Sequence, residues 1–311
     1  MSKPLISIIT PSLNRAQYIR EAIQSVLDQN YPHVEHIVID GVSTDRTMDV
    51  LCGYSHLRVV SEPDQGMYDA INKGIRMARG EVIGLLNTDD LYAADCFEAV
   101  VEVFEKSPQS MAVVGGIAVF EDKNNIRQFV KHVPAINPDE LWYRLIQGSP
   151  VTNAWFFKRG TFDHVGLFDS RFRYVADRHF LIRTALDGAV RPVPIARELY
   201  YYRRHSGSAT LTSLDSRTTQ YGLLRIDILL EDIVALEDFL DRPVLLDEVR
   251  RRVFREHGER CYRLATTAIY HHRWKQGLNA GRRGWRRNVL WPLIFLEMAY
   301  RRLCKEFTWH D

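Results

Sequence analysis

Apolar runs and helical patterns alternate along the first 120 residues of the chain. The run from Leu5 to Pro11 predicts a buried strand, and apolar residues recur at helical spacing between Arg15 and Asn30. Asn14 stands where the N-cap of that helix is expected. Further apolar runs predict strands at 34–39, 57–60, 82–86 and 111–120, with helical segments between them. This alternation predicts an α/β fold with a doubly wound, mostly parallel sheet and helices on both faces.

The pattern changes near residue 217. Beyond it the strand signals stop, and long helical segments rich in Arg and Leu follow. We therefore predict two domains, with the sheet in residues 1–217 and a helical extension in residues 218–311.

Composition narrows the class of protein. The chain has 311 residues, 46% of them apolar, and a net charge of +2, which is typical of a globular protein and argues against a dedicated nucleic-acid binder. Its four cysteines are widely separated, which predicts neither a zinc site nor a disulfide framework and favours a reducing, cytosolic compartment. We expect neither a signal peptide nor a membrane-spanning helix, because the chain lacks the required apolar stretches.

Three polar clusters follow predicted strands, at residues 11–15, 40–45 and 87–90. Ligands of open α/β sheets bind beyond the carboxyl ends of the strands, so these clusters are expected to share one crevice. In the second cluster, Asp40 follows an apolar run at a point where its carboxylate can accept a hydrogen bond from a nucleobase N–H. A turn or a helix cap explains this residue equally well.

The third cluster contains two adjacent carboxylates, Asp89 and Asp90. Neighbouring carboxylates repel each other unless a positive charge lies between them, and Mg²⁺ or Mn²⁺ can supply that charge and also bridge a diphosphate. A helix N-terminus is the alternative explanation, because its dipole also favours acidic residues.

Further along the chain, Asp177 stands at the start of a helical pattern, where it can act as a general base or as a cap. Gly66 suits a tight turn beside a ligand, and Asp69 and Lys73 follow it on a predicted helix. The basic group at 203–205 can hold phosphate, or it can form a solvated turn.

In this order, the clusters resemble the family 2 glycosyltransferases, which have the GT-A fold. The resemblance covers about residues 6–210 and is specific through its order of motifs. The motifs are Ile8 to Asn14, Ile37 to Asp45, Glu62 to Gly74, Gly80 to Asp90, and Gly166 to Asp169 leading to Asp177. The third motif is similar to those of bacterial enzymes that build cell-surface polysaccharides.

The resemblance implies an inverting, hexosyltransferase-like enzyme that moves a sugar from a UDP- or GDP-sugar to the hydroxyl of a saccharide or lipid-linked saccharide. It implies that Asp177 is the catalytic base and that Asp89, with Asp90, binds Mn²⁺ or Mg²⁺. The residues expected to bind the donor are Pro11, Asn14, Asp40, Asp69, Lys73, Asn87 and Arg204.

The chain departs from the family pattern at three positions. Asn87 stands where the first Asp of the metal motif is frequent, Gly41 replaces a frequent second Asp, and Ala176 replaces a common Glu. The first departure leaves one fewer charge beside the metal. The others are expected to change donor contacts or acceptor preference.

The C-terminal segment is basic, with nine Lys and Arg against three acidic residues between His271 and Asp311. The run Arg282 to Arg287 precedes the apolar run Val289 to Leu296, an arrangement typical of helices at an anionic membrane surface. Peripheral association with the inner face of the cell membrane is therefore expected. Packing of this segment on the catalytic domain is the alternative.

Three other functions compete with this one. A sugar nucleotidyltransferase and a nicotinamide dehydrogenase both need a Gly-rich loop after the first strand, and residues 10–15 contain no glycine. A non-catalytic nucleotide-sugar-binding or membrane-scaffold protein is left open by Asn87 and Ala176. The retained carboxylates argue against it.

Overall fold

The computed structural model describes residues 3–124, 126–147, 152–188, 190–205, 219–240, 247–270 and 273–287. The chain divides into two compact units, Met1–Leu211 and Thr212–Asp311. The predicted domain boundary at 217 lies outside the described residues.

The first unit is built on one sheet. Its strands are β1 (Ile6–Ser12), β2 (Val34–Asp40), β3 (Leu57–Ser61), β4 (Val82–Leu85), β5 (Leu91–Tyr92), β6 (Ala112–Lys123), β7 (Ile126–Val133), β8 (Trp155–Lys158) and β9 (Pro192–Arg203). The strands are ordered β3-β2-β1-β4-β8-β6-β9-β5, and β7 pairs with β6. β8 is antiparallel to both β4 and β6, β5 is antiparallel to β9, and β7 is antiparallel to β6. The other pairings are parallel, so most strands run in the same direction, which confirms the predicted α/β fold with a mostly parallel sheet.

Seven helices of this unit are described. They are α1 (Ile19–Leu27), α2 (Thr47–Leu51), α3 (Met67–Met77), α4 (Cys96–Lys106), α5 (Leu141–Gln147), α6 (Gly160–Val165) and α7 (Ala176–Asp187). Two short 3-10 helices are also present, Pro138–Glu140 and Thr152–Ala154.

Helices cover both faces of the sheet, and alternating side chains of one strand show this directly. In β8, Phe156 packs against Phe97 of α4, with ring centroids 6.1 Å apart. The next residue, Phe157, packs against Phe180 of α7 at 5.4 Å. Successive side chains of a strand point to opposite faces, so α4 and α7 lie on opposite sides of the sheet.

The first helix begins later than its sequence pattern predicts. Its first residue is Ile19, and Tyr18 precedes it without a side-chain cap. The predicted cap at Asn14 is therefore wrong, because Asn14 has a left-handed backbone (φ 54°) and its side-chain oxygen is used elsewhere, in the loop after β2. Asn tolerates this conformation better than most residues.

The second unit contains three described helices, α8 (Thr219–Leu240), α9 (Asp247–Tyr270) and α10 (Trp274–Arg287). Their common core includes Ile233 of α8, Leu264 of α9 and Ala280 of α10. A buried ion pair joins Arg260 to Asp232 at 3.2 Å. Among the helices that the structure describes, none is both long enough and apolar enough to cross a bilayer.

Candidate active site

The carboxyl ends of the parallel strands lie at one edge of the sheet. Ser12 at the end of β1 is level with Asp40 at the end of β2, and Asp40 is level with Ser61 at the end of β3. The N–H of Leu86, just after β4, donates to the carbonyl of Ile9 in β1. The polar clusters that follow β1, β2 and β4 therefore emerge at the same edge, as expected of a parallel sheet.

Asp40 is fully buried and binds the loop that follows its own strand. The Ser43 hydroxyl donates to Oδ1 at 2.5 Å, and the Ser43 N–H donates to Oδ2 at 2.9 Å. The Ser61 hydroxyl also donates to Oδ2, at 2.8 Å. An ionised carboxylate has about four acceptor positions, so these three bonds leave capacity for one further donor.

Asn14 joins the loops after β1 and β2. Its side-chain oxygen accepts the Thr44 N–H at 2.8 Å and the Asp45 N–H at 3.3 Å. Its own N–H donates to the Ser43 hydroxyl at 2.8 Å. Asn14 therefore positions the Asp40 loop, and it does so through the same serine that binds Asp40. Pro11 lies buried in β1, level with Ile39.

The surface beside Asp40 is formed by a glycine, an acidic residue and an exposed leucine. A Cβ added to Gly41 would lie 2.6 Å from Oδ2 of Asp64 and 3.6 Å from Cδ1 of Leu13. The Asp64 carboxylate therefore occupies the space that a side chain at position 41 would need. Asp64 is held by the Gly66 N–H, which donates to its Oδ1 at 2.9 Å.

The hydroxyl of Ser12, which directly precedes Leu13, is buried and has no hydrogen-bond partner among the described residues. Buried polar groups are nearly always paired in folded proteins. Ser12 lies at the end of β1, level with Asp40. It is therefore a second polar group at this position with capacity for a ligand.

Asp90 is buried and bound by protein donors. The Tyr200 hydroxyl donates to Oδ2 at 2.7 Å, and the Arg203 N–H donates to Oδ1 at 2.8 Å. The side-chain amide of Asn87 donates to Oδ2 at 3.2 Å. Burial, together with the negative charge of Asp89, raises the pKa of the Asp90 carboxyl. Asn87 and Asp90 thus form one turn that is tied to β9.

Asp89 carries the more accessible of the two adjacent carboxylates. Its Oδ2 lies 3.0 Å from Nε2 of His205, just beyond the end of β9. The ring of His205 also packs on that of Tyr18, with centroids 4.8 Å apart. The Asp89 carbonyl accepts a 2.8 Å hydrogen bond from Nε of Arg203. A carboxylate oxygen and an imidazole nitrogen therefore meet at the sheet edge.

The two arginines after Tyr202 have separate partners. Arg203 is buried between Tyr18 and Phe120, and its guanidinium pairs with Glu21 and Asp122. The guanidinium of Arg204 pairs with Glu121 of β6. That ion pair would have to open before Arg204 could bind a phosphate.

The predicted donor residues on α3 hold the loop in front of that helix. Lys73 pairs with Glu62 at 2.9 Å and donates to the Pro63 carbonyl at 2.7 Å. The hydrogen bond that Lys73 donates to the Glu62 carboxylate raises the pKa of Lys73. Asp69 accepts the N–H of Gln65 at 3.1 Å. Both side chains shape the 62–66 loop, which contains Asp64.

Asp177 lies in the first turn of α7 and is half-buried. Its carboxylate is bound by the Arg178 N–H at 2.7 Å and by the side chains of Thr152 and Tyr68. Burial raises the pKa of Asp177 to about 6, because the cost of removing the charge from water exceeds the effect of these hydrogen bonds. A carboxyl with this pKa can accept a proton at neutral pH.

A short chain of contacts connects Asp177 with Asp90. Thr152 binds Asp177, and the next residue, Asn153, donates to the Tyr200 hydroxyl at 2.8 Å. The same hydroxyl donates to Asp90. The Thr152–Ala154 turn therefore positions both acidic groups relative to β9.

The mostly parallel sheet thus has several aspartates at the edge where its strands end. Comparison with protein-family models identifies the family. The model described as Glycosyl transferase family 2 matches residues 7–165. The chain is a family 2 glycosyltransferase.

Relatives of this glycosyltransferase include TuaG of Bacillus subtilis (strain 168), a glycosyltransferase assigned to teichuronic acid biosynthesis. The two are 34% identical over 151 residues, which cover 47% of this chain and 60% of TuaG. A PGL/p-HBAD biosynthesis glycosyltransferase of Mycobacterium tuberculosis is 32% identical over 189 residues, which cover 59% of this chain and 70% of the relative.

Solved structures show the same fold. The mannosyltransferase PcManGT of Pyrobaculum calidifontis, in complex with GDP-Man and Mn²⁺, has a TM-score of 0.59 and 19% identity, covering 86% of this chain and 74% of its own. TarS residues 1–349 of S. aureus, in complex with UDP-GlcNAc, has a TM-score of 0.57 and 17% identity, covering 96% of this chain and 92% of its own. The glycosyltransferase therefore has the predicted GT-A fold.

Several residues of the glycosyltransferase site carry no motif signal of their own. Tyr200 is 110 positions from Asp90, and Thr152 and Asn153 are likewise distant from their partners Asp177 and Tyr200, so no local pattern marks them. Only pairing in three dimensions identifies such residues. Asp64 lies within the third motif, but the sequence predicts no role for it.

Proposed function

We propose that this glycosyltransferase moves a sugar from a UDP- or GDP-sugar to an acceptor hydroxyl with inversion at the anomeric carbon. The observation that carries the proposal is Asp177, a half-buried carboxyl with a pKa of about 6 that is tied through Thr152 to the Asp90 turn. A group with such a pKa is ionised at neutral pH and still basic enough to take a proton.

Asp177 is the general base of the proposed reaction. It takes the proton of the acceptor hydroxyl as that oxygen forms a bond to the anomeric carbon. The bond from that carbon to the diphosphate oxygen breaks, and the nucleoside diphosphate leaves with the electron pair. A single displacement of this kind inverts the anomeric configuration. Tyr68 and Thr152 hold the carboxylate in one orientation.

Asp89 and His205 are the residues that would hold a divalent cation. Their Oδ2 and Nε2 atoms lie 3.0 Å apart, and carboxylate oxygen and imidazole nitrogen both bind Mn²⁺-type ions. The Asp90 carboxylate already accepts three hydrogen bonds from protein groups. It is therefore better suited to positioning Asp89 than to being the main ligand of the ion. A bound cation would offset the charge that develops on the leaving diphosphate. The Mn²⁺ complex of PcManGT supports this choice.

The nucleotide lies, in this proposal, on the surface formed by Leu13, Gly41 and Asp64. Asp40 and Ser12 directly precede Gly41 and Leu13 in the chain and retain capacity for hydrogen bonds with the base. Asn14, Asp69 and Lys73 shape the surrounding loops. Pro11, Asn87 and Arg204 remain candidate donor contacts. UDP-sugars and GDP-sugars are both candidate donors, because the two structural neighbours bind different nucleotides.

The proposed acceptor is a saccharide or lipid-linked saccharide of a cell-surface polymer. The support is the description of TuaG as an enzyme of teichuronic acid biosynthesis and of the mycobacterial relative as an enzyme of PGL/p-HBAD biosynthesis. A lipid-linked acceptor makes peripheral association with an anionic membrane surface useful. The apolar run Val289 to Leu296 lies outside the described residues.

The test is release of nucleoside diphosphate from a panel of UDP- and GDP-sugars, with Mn²⁺, with Mg²⁺ and with chelator. We expect one donor to be turned over in a metal-dependent way, and Asp177→Asn to reduce the rate by at least about 100-fold. Asp163→Asn, at a carboxylate in the first turn of α6, is the matched control. Release that is independent of both metal and Asp177 would contradict the proposal.

Inversion is tested separately. Proton NMR of the product of a turned-over donor reports the anomeric configuration before it can equilibrate. We expect the configuration opposite to that of the donor. Retention would show that Asp177 does not act as the base of a single displacement.

A further inference from the structure

Helix α10 carries two large apolar side chains that face solvent. Leu278 is 65% exposed and Trp285 is 66% exposed. They are seven residues apart, which places them on the same face of the helix. The opposite face is buried and consists of small residues, namely Gly277, Ala280 and Gly284. The exposed apolar side chains are therefore not needed for packing within the helical unit.

The same outer face is strongly cationic. Lys275, Arg282 and Arg286 are exposed at the spacing that places them beside Leu278 and Trp285. Helix α10 contains no acidic residue. Neither Arg282 nor Arg286 forms an ion pair with another residue in the part of the chain that the structure describes. Apolar residues flanked by unpaired cations are typical of helices that lie in a membrane interface.

A cavity of about 350 Å³ opens beside these arginines, between α8 and α10. Arg282, Arg283 and Arg286 line it together with Asn279 and Gln276. Arg283 lies 3.4 Å from Glu237 and is thus partly neutralised. The side-chain oxygen of Gln276 is buried and has no partner among the described residues. The cavity therefore offers guanidinium donors for an anion and one acceptor for a hydroxyl.

We propose that the α8–α10 cavity binds the phosphate of an anionic membrane lipid while Leu278 and Trp285 enter the bilayer interface. Guanidinium groups form forked hydrogen bonds with phosphate oxygens. The unpaired oxygen of Gln276 is matched by a lipid headgroup that carries a hydroxyl, such as that of phosphatidylglycerol. The inference rests on the proposed membrane association and assigns it to particular side chains.

The test uses the full-length protein and sedimentation with vesicles of phosphatidylcholine, with and without phosphatidylglycerol. We expect binding to the anionic vesicles that weakens as salt is raised. Each basic residue near such a surface contributes about fivefold to binding, so Arg282→Gln with Arg286→Gln should weaken it by about 30-fold. Trp285→Ala should weaken it with the charge unchanged. Equal binding to neutral and anionic vesicles would overturn the proposal.

A matched control removes the same charge elsewhere. Arg20→Gln with Lys131→Gln replaces two exposed basic residues of the first unit. This variant should bind vesicles nearly as well as the parent protein, and an equal loss would show that only net charge matters. Arg282→Lys with Arg286→Lys keeps the charge but not the forked donors, and it should have intermediate affinity. Circular dichroism confirms that each variant is folded.

Inorganic phosphate distinguishes the other source of the same chemistry. Phosphate binding is measured without vesicles, in the parent protein and in the Arg282→Gln, Arg286→Gln variant. If phosphate binds the parent tightly and this binding is lost in the variant, the cavity is a site for free phosphate and the lipid proposal fails. Vesicle-free release of nucleoside diphosphate should be unchanged in that variant. Loss of transferase activity in Asp177→Asn, in contrast, should leave vesicle binding intact, so the two proposals fail separately.

Discussion

The side-chain amide of Asn153 donates a 2.8 Å hydrogen bond to the hydroxyl of Tyr200. That hydroxyl also accepts the Asn87 N–H at 3.2 Å and donates to Asp90 at 2.7 Å, so its hydrogen-bonding capacity is fully used. Through this phenol, the turn that supports Asp177 and the turn that carries Asp89 are both fixed to β9. The proposed base and the candidate metal site are thus parts of one hydrogen-bonded network.

Tyr200→Phe removes the centre of that network. The N–H of Asn87, the amide of Asn153 and the carboxyl of Asp90 each lose a partner in a buried environment. We expect the free energy of unfolding to fall by about 1–3 kcal/mol, as measured by denaturant titration. Tyr201→Phe, at the adjacent half-buried residue, is the control and should have a smaller effect. Equal effects would argue against a special role for the Tyr200 hydroxyl.

If Asp177 is the base, its pKa is expected to set the pH dependence of transfer. A base must be deprotonated, so kcat/KM should rise about tenfold per pH unit below about 6 and level off above it. Burial raises this pKa above its usual value, so Asp177 favours folding most at low pH, and this contribution is lost as the pH rises through about 6. Asp177→Asn should therefore abolish the acidic limb of the profile and increase stability at pH 8. A profile that is flat from pH 5 to 8 would contradict the assignment.

Thr152 tunes the same group without being the base. Its hydroxyl binds the Asp177 carboxylate, a contact that lowers the pKa. Thr152→Val keeps the shape and removes the donor, so the acidic limb of kcat/KM should move to higher pH. Thr161→Val is the control, because the Thr161 hydroxyl instead binds the Met111 carbonyl. If the limb stays in place, Thr152 has no part in positioning the base.

Asp89 and His205 are expected to determine metal binding. Loss of even an outer-shell partner typically costs about 10- to 100-fold in metal affinity, so Asp89→Asn and His205→Ala should each cost at least that much. Calorimetric titration of Mn²⁺ into the enzyme with nucleoside diphosphate measures the change. His33→Ala, at an exposed histidine remote from this edge, is the matched control. Unchanged Mn²⁺ affinity in both site variants would place the cation elsewhere.

Gly41 is expected to control donor affinity through Asp64. A Cβ at position 41 would come within 2.6 Å of the Asp64 carboxylate, so Gly41→Ala must displace that side chain. We predict a several-fold rise in the KM for the donor with little change in kcat, as measured by steady-state kinetics. Gly53→Ala, where an added Cβ meets only a backbone oxygen at 3.3 Å, is the control. Should both variants have the parent KM, Asp64 does not contact the donor.

The early sheet was predictable from the sequence because its strands are apolar runs bounded by polar loops. β1, β2, β3, β4 and β6 lie within a few residues of the predicted ranges. β8 and β9 were not predicted. β8 is antiparallel between β4 and β6, and β9 pairs with β6 from far along the chain, so their places depend on contacts that no local pattern encodes.

The amino-acid sequence by itself determined the fold class, the family, and the order of the acidic motifs, because these follow from hydrophobic periodicity and from residue types at strand ends. Only the tertiary structure decided which side chains bind each carboxylate. Tyr200 and Arg203 bind Asp90, His205 binds Asp89, and Thr152 binds Asp177. The physical reason is that burial and hydrogen bonding, which set the charge and pKa of each group, depend on side chains that are distant in sequence and become neighbours only when the sheet is assembled.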